Sequence, residues 1–536
     1  MKNGGPIVNQ FVIKISDKRT EWNKHWQYCV GSGHAAMALR TDYAAQLKRV
    51  HEELGIKYVR FHGILNDDME IFRSLYDINP IKGAERFKQV SFRKVGLVYD
   101  NVLACGMKPF VELSFMPTVL ADQPEKRLAF YYGGCISRPR DDEEWKAFIQ
   151  AFVKYLIGRY GKEEVESWPF EVWNEPDVFV FWGGTKTDYY HLYEVTARAI
   201  KEVDSDIQVG GPAASGSKWV GSFLAFCKEN KVPVDFITVH QYAGDPIGGV
   251  ESTTDLEEET RTDFVIPEAL MEQVFASIPE GCDMLTALRM YMPDKSETED
   301  IPPDAFAINS AIVKEQAGDI PIYYTEWNAN GIFAAETNDT RKVAAYLVRT
   351  ALKVEKNMTG SSVWCFSDIF EEFSNFPQEF HGGFGLLSNN GIPKPQYQAL
   401  RMLGNLPEKR IDLGEGALDG EIAVAAFEDD EKIQLVLVRE KMKSLALAPE
   451  KITLQIEMEH APKQSYFERI DENHCNPKKK WDEMGQPLDM TPAEIQQINE
   501  AAHTEKEAIC TTTIDGYTQV ELELGVNDVY FVTIMK

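Results

Sequence analysis

Basic residues are scarce in this chain. Lys and Arg number 56 against 84 Asp and Glu over 536 residues, a formal charge of −28. That balance repels nucleic acid and anionic membranes, so neither is expected as a partner, and a neutral ligand is favoured. Long apolar runs are missing too: no stretch of 18 apolar residues occurs, and no transmembrane helix is expected. The opening Met1-Lys2-Asn3-Gly4-Gly5-Pro6 lacks the apolar core of a secretory signal, which points to a cytoplasmic protein. The eight cysteines include no C-x-x-C pair, and several sit in apolar runs such as Ala104-Cys105-Gly106 and Trp364-Cys365-Phe366. Free buried thiols in a reducing compartment are the expectation. No His-Glu-x-x-His, Gly-x-Ser-x-Gly or glycine-rich phosphate loop is present. Neither metal nor cofactor is therefore expected, and Gly382-Gly383-Phe384-Gly385 reads as a turn.

What is present is a soluble, globular composition, 44% apolar and 26% charged, on a chain long enough for two domains. From about residue 26 to 404, β-branched or aromatic runs at 28–30, 57–62, 108–114, 170–174, 207–211, 235–240, 320–326 and 362–366 alternate with helical patterns. Among the latter are 43–54, 92–104, 142–160, 189–203 and 341–353; Leu47, Val50 and Leu54 show the spacing of one helix face. Such alternation predicts an α/β fold, a (β/α)8 TIM barrel over residues 16–404. Past residue 405, short alternating runs at 421–427, 432–438, 452–457, 519–524 and 529–535 predict a C-terminal β-sandwich over 405–536. A strand within residues 1–15 is expected to pair into it. Within the sandwich, 465–511 reads as an insertion whose helix is opened by Thr491-Pro492-Ala493-Glu494. A second insertion, 244–305, is acidic around 255–259 and 296–300. Both read as surface structure or oligomer contacts.

Two of the strands end oddly. Phe170-Glu171-Val172-Trp173-Asn174-Glu175-Pro176 and Tyr323-Tyr324-Thr325-Glu326-Trp327-Asn328 each stop in a glutamate beside tryptophan and asparagine. A buried carboxylate is costly without a partner, so such strands are poor core material. They suit a glycosidase, in which one carboxyl protonates the leaving oxygen and the other attacks the sugar or activates water. Barrel chemistry gathers at the carboxyl ends of strands, where Glu175, Glu326, His62, His240, Asp368 and Glu371 all fall. Pro176 biases Glu175 away from helix. Glu175 is assigned as acid, its pKa raised by apolar walls (Trp173, Trp182) and by the second carboxylate. Glu326 is assigned as nucleophile, flanked by Trp327 and Tyr324. Asn174 is placed to donate to the sugar 2-hydroxyl. His240 and His62 stand between two readings, sugar or nucleophile contact and satisfied core residue. Glu371-Glu372, read alone, is more readily the solvated start of a helix than a site.

These residues resemble glycoside hydrolase family 39, in its β-xylosidase branch. The resemblance is carried by Tyr58-Val59-Arg60-Phe61-His62-Gly63-Ile64, by the two glutamate motifs, and by Phe366-Ser367-Asp368-Ile369-Phe370-Glu371-Glu372. Phe380-His381-Gly382-Gly383-Phe384-Gly385-Leu386-Leu387, Gly391-Ile392-Pro393-Lys394-Pro395 and the distant Arg469-Ile470-Asp471-Glu472-Asn473-His474 extend it. It implies a retaining, exo-acting β-xylosidase releasing xylose from neutral xylo-oligosaccharides, with Glu175 as acid/base and Glu326 as nucleophile. It further implies a sugar pocket formed with His62, Asn174, His240, Tyr242 and Glu372, with Trp327 and Glu371 beside them. No cofactor or metal is implied, and a homo-oligomer is allowed. Asp177, Leu65-Asn66-Asp67, Gln241 and the long 244–305 segment depart from the family pattern and bear on the leaving-group side. The rival specificities are α-L-arabinosidase, β-glucosidase or β-galactosidase, and α-L-iduronidase, whose uronate needs basic pocket residues. From another class, the rival is a catalytically silent carbohydrate-binding scaffold.

Overall fold

The computed structural model describes residues 9–14, 18–128, 130–248, 276–294, 296, 298–373, 376–414, 416–443, 445–458 and 460–536. The acidic stretch 255–259 lies outside them. Eight parallel barrel strands occur in chain order: Cys29–His34, Tyr58–His62, Lys108–Pro109 continued by Val111–Glu112, Phe170–Glu171, Val209–Ala214, Phe236–Tyr242, Ile322–Asn328 and Gly360–Val363. Lys108–Pro109 pairs with the second strand and Val111–Glu112 with the fourth, so the sheet closes through Phe110. The fold is a (β/α)8 barrel carrying an additional C-terminal β region. Its strands are buried on both faces, as helix-covered parallel strands must be, which explains their near-continuous apolar runs.

The covering helices carry the signals their ends require. Asp141 caps Asp142–Tyr160 by accepting from the Glu144 amide at 2.8 Å, and Trp145, Phe148, Ile149, Phe152, Val153 and Leu156 turn inward. Thr185 and Asp188 form a reciprocal capping box at the start of Lys186–Val203. At the amino-terminal end of the barrel, Tyr28 stacks on Tyr58 at 4.8 Å and on Tyr323 at 4.7 Å, with Phe110 and Phe236 beside them. This aromatic plug leaves the opposite end for polar side chains.

The fourth strand is shorter than its apolar run suggests. It stops at Glu171 because Trp173 and Glu175 take left-handed backbone conformations, with φ 74° and 42°. Glu175, expected out of a helix and at the strand's end, lies four residues past that end in a left-handed conformation. Left-handed conformations in bulky residues cost on the order of 1–3 kcal/mol each and persist only where surrounding packing imposes them.

Two further sheets enclose a second apolar core built from Ile13, Ile433, Leu435, Leu454, Val520, Val532 and their neighbours. One has seven strands, from Glu507–Ala508 through Gln464–Ile470, Val529–Met535, Lys432–Val438, Ala423–Glu428 and Lys409–Ile411 to Arg19–Glu21. The other has four, and in it Asn9–Ile13 runs parallel to Glu450–Glu457. Gln464–Ile470 is thus a sheet strand rather than the start of an insertion. The helices that follow it, Pro477–Glu483 and Pro492–Glu500, pack Trp481 and Ile498, with Ala502 just past the second, against Phe380 and Ile392 of the barrel. Thr491 and Glu494 form the capping box at the second helix.

Candidate active site

Strand alternation explains how charge enters the barrel. Arg60 and His62 are two residues apart on the second strand and share its inner face, while Glu112 and Glu171 occupy inner positions on the third and fourth. Arg60 is wholly buried and divides its donors among four groups: Glu171, Glu112 at 2.9 Å, Glu326 at 2.8 Å and Asn174 Oδ1 at 2.9 Å. A guanidinium stays charged even there, because the surrounding carboxylates outweigh the cost of burial. Sequence reasoning passed over Arg60, Glu112 and Glu171. The available signal was a single charge at an inward position in each of three apolar strands.

The carboxyl end of the barrel opens into a cleft of about 1010 Å³, lined among others by His62, Glu175, Tyr242, Glu326, Trp364 and Glu372. Oxygens of Glu175 and Glu326, with a His240 nitrogen, lie within 4.8 Å of one another. Glu326 accepts from Arg60 on one oxygen and from the Tyr242 hydroxyl at 2.9 Å on the other. Glu175 meets His240 Nδ1 at 2.9 Å. Burial, then the neighbouring Asp177 carboxylate, push the Glu175 carboxyl up to about 8. The departure at Asp177 therefore reaches the site electrostatically. Asp177 itself accepts from the Ser215 amide at 2.8 Å and pairs with Lys218 at 3.2 Å. Gln241, by contrast, faces away and accepts from Ser217 and Asn309 behind the wall.

The two histidines hold opposite charge states. Burial opposes a charge on His62, yet Glu112 at 2.7 Å from its Nδ1 raises it to about 9, so it is cationic at neutral pH. Burial drives His240 down to about 4 and keeps it neutral. Burial pushes Glu372 up to about 8, against the pull of His62 and with Glu326 adding to the rise. It faces the cleft as a carboxylic acid, within 3.4 Å of the Tyr132 hydroxyl. Asn174 has its carbonyl fixed by Arg60, while its buried Nδ2 has no partner among the described residues and is left to donate. The floor is Trp364, 4.9 Å from the His62 ring. A Cβ on Gly31 would come within 2.5 Å of that indole, so only glycine lets it lie there.

Two expected sugar contacts fall elsewhere. Trp327 is fully buried on the outer side of its strand, donating to Ser361 at 3.0 Å and packing on Phe306. Strand alternation sends it away from the cleft that its neighbour Glu326 enters. Glu371 turns outward, with φ 56°, and pairs with Arg40 at a partly exposed position. Glu372 alone of that pair reaches the cleft. Among the described cleft-lining residues there is no lysine or arginine, while Asp245, Asp294, Glu299 and Asp300 stand on the outer wall.

The sequence profile of glycosyl hydrolases family 39 matches residues 11–313 and 298–519. A β-xylosidase of Caldicellulosiruptor saccharolyticus is 36% identical over 504 residues, 94% of this chain and 93% of that one. A β-xylosidase of Geobacillus stearothermophilus is 32% identical over 525 residues, 97% of this chain and 94% of its own. The crystal structure of a monomeric β-xylosidase from Caulobacter crescentus CB15 superposes with a TM-score of 0.76 at 27% identity, covering 98% of this chain and 99% of that one.

Proposed function

The chain belongs to glycosyl hydrolase family 39, and on that premise we propose that it is a retaining, exo-acting β-xylosidase that removes xylose from the non-reducing ends of short xylo-oligosaccharides. The observation that supports the mechanism is that one oxygen of Glu175 and one of Glu326 lie within 4.8 Å of each other, which brings the two carboxyls close. Double displacement uses carboxyls about 5–5.5 Å apart, whereas an inverting site leaves about 6.5–9.5 Å for a water.

In the first step the Glu326 carboxylate attacks the anomeric carbon while Glu175, carrying its proton at neutral pH, delivers it to the departing oxygen. Arg60 and Tyr242 aim the two Glu326 oxygens. Esterification removes the Glu326 charge, and Glu175, now a carboxylate, takes a proton from water in the second step. Asn174 Nδ2 donates to the 2-hydroxyl, and that bond strengthens as positive charge develops on the ring. His62 and Glu372 bind the remaining hydroxyls, with Trp364 beneath the sugar. A cleft wall of carboxylates favours a neutral pentose chain over a uronate.

The test is a panel of p-nitrophenyl β-xyloside, β-glucoside, β-galactoside and α-arabinoside, with a methylumbelliferyl iduronide, for wild type and Glu326→Ala. Turnover of the β-xyloside that disappears in the variant supports the assignment; preference for another glycoside overturns the substrate. Proton NMR of the first product separates mechanisms, because retention releases β-xylose before mutarotation. Release of α-xylose would sink the double displacement.

A further inference from the structure

Behind Glu175 runs a polar chain through His240, Thr325 and Glu171 that neither step above uses. His240 Nδ1 faces Glu175 Oε1 at 2.9 Å, and its Nε2 faces Thr325 Oγ1 at 3.2 Å. The Thr325 hydroxyl donates to Glu171 Oε1 at 2.8 Å, and Glu171 is bound in turn by Arg60. His240, Thr325, Glu171 and Arg60 are all buried, so no water competes for these bonds.

The proton positions follow by elimination. A carboxylate paired with a guanidinium can only accept, so the single Thr325 hydrogen points at Glu171. Thr325 oxygen must then accept from His240, which places the imidazole hydrogen on Nε2. The neutral ring is left with a bare Nδ1, and a bare nitrogen requires a donor. Glu326 Oε2 stands 3.6 Å from Nδ1, beyond hydrogen-bond reach, and already receives the Tyr242 hydroxyl. Among the described residues only Glu175 is within reach, and it donates only when protonated.

We propose that Thr325 and Glu171 are positioning residues for proton transfer: they fix His240 as the Nε2–H tautomer, so that its Nδ1 holds the proton on Glu175 until the leaving oxygen takes it. This rests on the reading of Glu175 as the acid. As the bond to the leaving group breaks, the proton passes from Glu175 to that oxygen. The Glu175 carboxylate then faces a nitrogen lone pair, which makes it a stronger base toward water. The returning proton restores the Oε1–H to Nδ1 bond. The tautomer can reverse only if Thr325 turns its hydrogen to Nε2, which takes a donor from buried Glu171.

The charges facing this pair come from several elements: Asp177 on the Glu175 loop, Lys218 and Asp245 on neighbouring loops, Arg60 and His62 on the second strand, Glu171 on the fourth, and Tyr242 and Glu326 on the sixth and seventh. A change of Thr325 to valine leaves all of them in place.

The experiment is the pH dependence of kcat/KM for xylobiose and for p-nitrophenyl β-xyloside in wild type, Thr325→Val and Thr325→Ser. In the valine variant the ring reverts to Nδ1–H and donates to the Glu175 carboxylate. The alkaline limb then moves down by about one pH unit or more. At neutral pH the xylobiose rate falls roughly tenfold further than the p-nitrophenyl rate, because the poor leaving group needs the proton. Serine restores both. An unmoved limb, or equal losses on the two substrates, overturns the proposal. Histidine ¹⁵N spectra of the wild type, with His240 assigned by difference against His240→Asn, give a second readout: an Nδ1–H resonance for His240 overturns it even if the valine variant does not fold. Glu175→Ala tests the underlying reading separately. If azide fails to rescue its turnover of p-nitrophenyl β-xyloside, the acid assignment falls and the tautomer argument with it.

Discussion

Two buried ion clusters stand near the carboxyl end of the barrel, and they do different things. In one, Arg60 gathers Glu112, Glu171 and Glu326, with His62 and His240 alongside. In the other, Lys394 pairs with Asp339 at 2.6 Å and Asp368 at 2.7 Å and donates to the Gly383 carbonyl at 2.9 Å. Burial and charge are alike in both. Asp368 also accepts from the Gly385 amide, and all three charged side chains of that cluster are sealed from solvent. The Arg60 cluster presents Glu326 and His62 to a cleft, with the Asn174 Nδ2 unpartnered beside it. Perturbed charge alone therefore does not mark a reactive centre. What separates the two clusters is a donor or acceptor left open toward a cavity.

Substitutions can break that contrast at either end. The largest effect is expected for Glu326→Gln, which should lower kcat on p-nitrophenyl β-xyloside by more than about 10⁴-fold with unchanged circular dichroism. Retained activity would place the nucleophile elsewhere. Glu175→Gln should cost about 10²–10⁴-fold on xylobiose and abolish the alkaline limb expected near pH 8 for the wild type. A limb that survives the substitution would belong to another group.

Lys394→Met should show the opposite profile. Removing the cation strands two buried carboxylates and should cost about 3–5 kcal/mol in denaturant unfolding. The kcat of the folded fraction should stay within about threefold. A selective loss of kcat would dissolve the distinction between the two clusters.

Glu372→Gln sharpens the comparison in both directions. It should lower kcat/KM on xylobiose by roughly 10–100-fold through a lost sugar contact. It should also stabilise the fold at alkaline pH. The folded Glu372 holds its proton up to about 8, while an unfolded glutamate loses it near about 4.3. Through that window the folded state binds the extra proton, so stability falls as pH rises, and glutamine removes this loss. The melting midpoint should rise by about 2 °C at pH 8.5 and stay unchanged at pH 4. The smallest effect belongs to its neighbour. Glu371→Gln breaks a partly exposed pair with Arg40 and should change kcat/KM by no more than about twofold.

Much of this was legible in the chain. The alternation of strands and helices gave the barrel, since parallel strands must be apolar on both faces and helices must show a three-to-four spacing. Helix ends were legible wherever a capping residue marked them, as at Thr491. Glu175 and Glu326 stood out because no core strand benefits from ending in an unpaired acid. What failed was facing. Trp327 adjoins Glu326 in sequence and lies on the other side of the wall, and Glu371 adjoins a cleft residue and faces Arg40.

By itself the sequence determined which residue types sit at each strand end, because backbone periodicity is local and hydrophobic patterning records it. Only the tertiary structure decided which of them share a cavity. The charge of His62, the neutrality of His240 and the proton on Glu175 depend on groups brought together from five different strands. Electrostatic energies fall with distance through a medium that burial makes weakly polarisable, and neither distance nor burial is written in a linear chain.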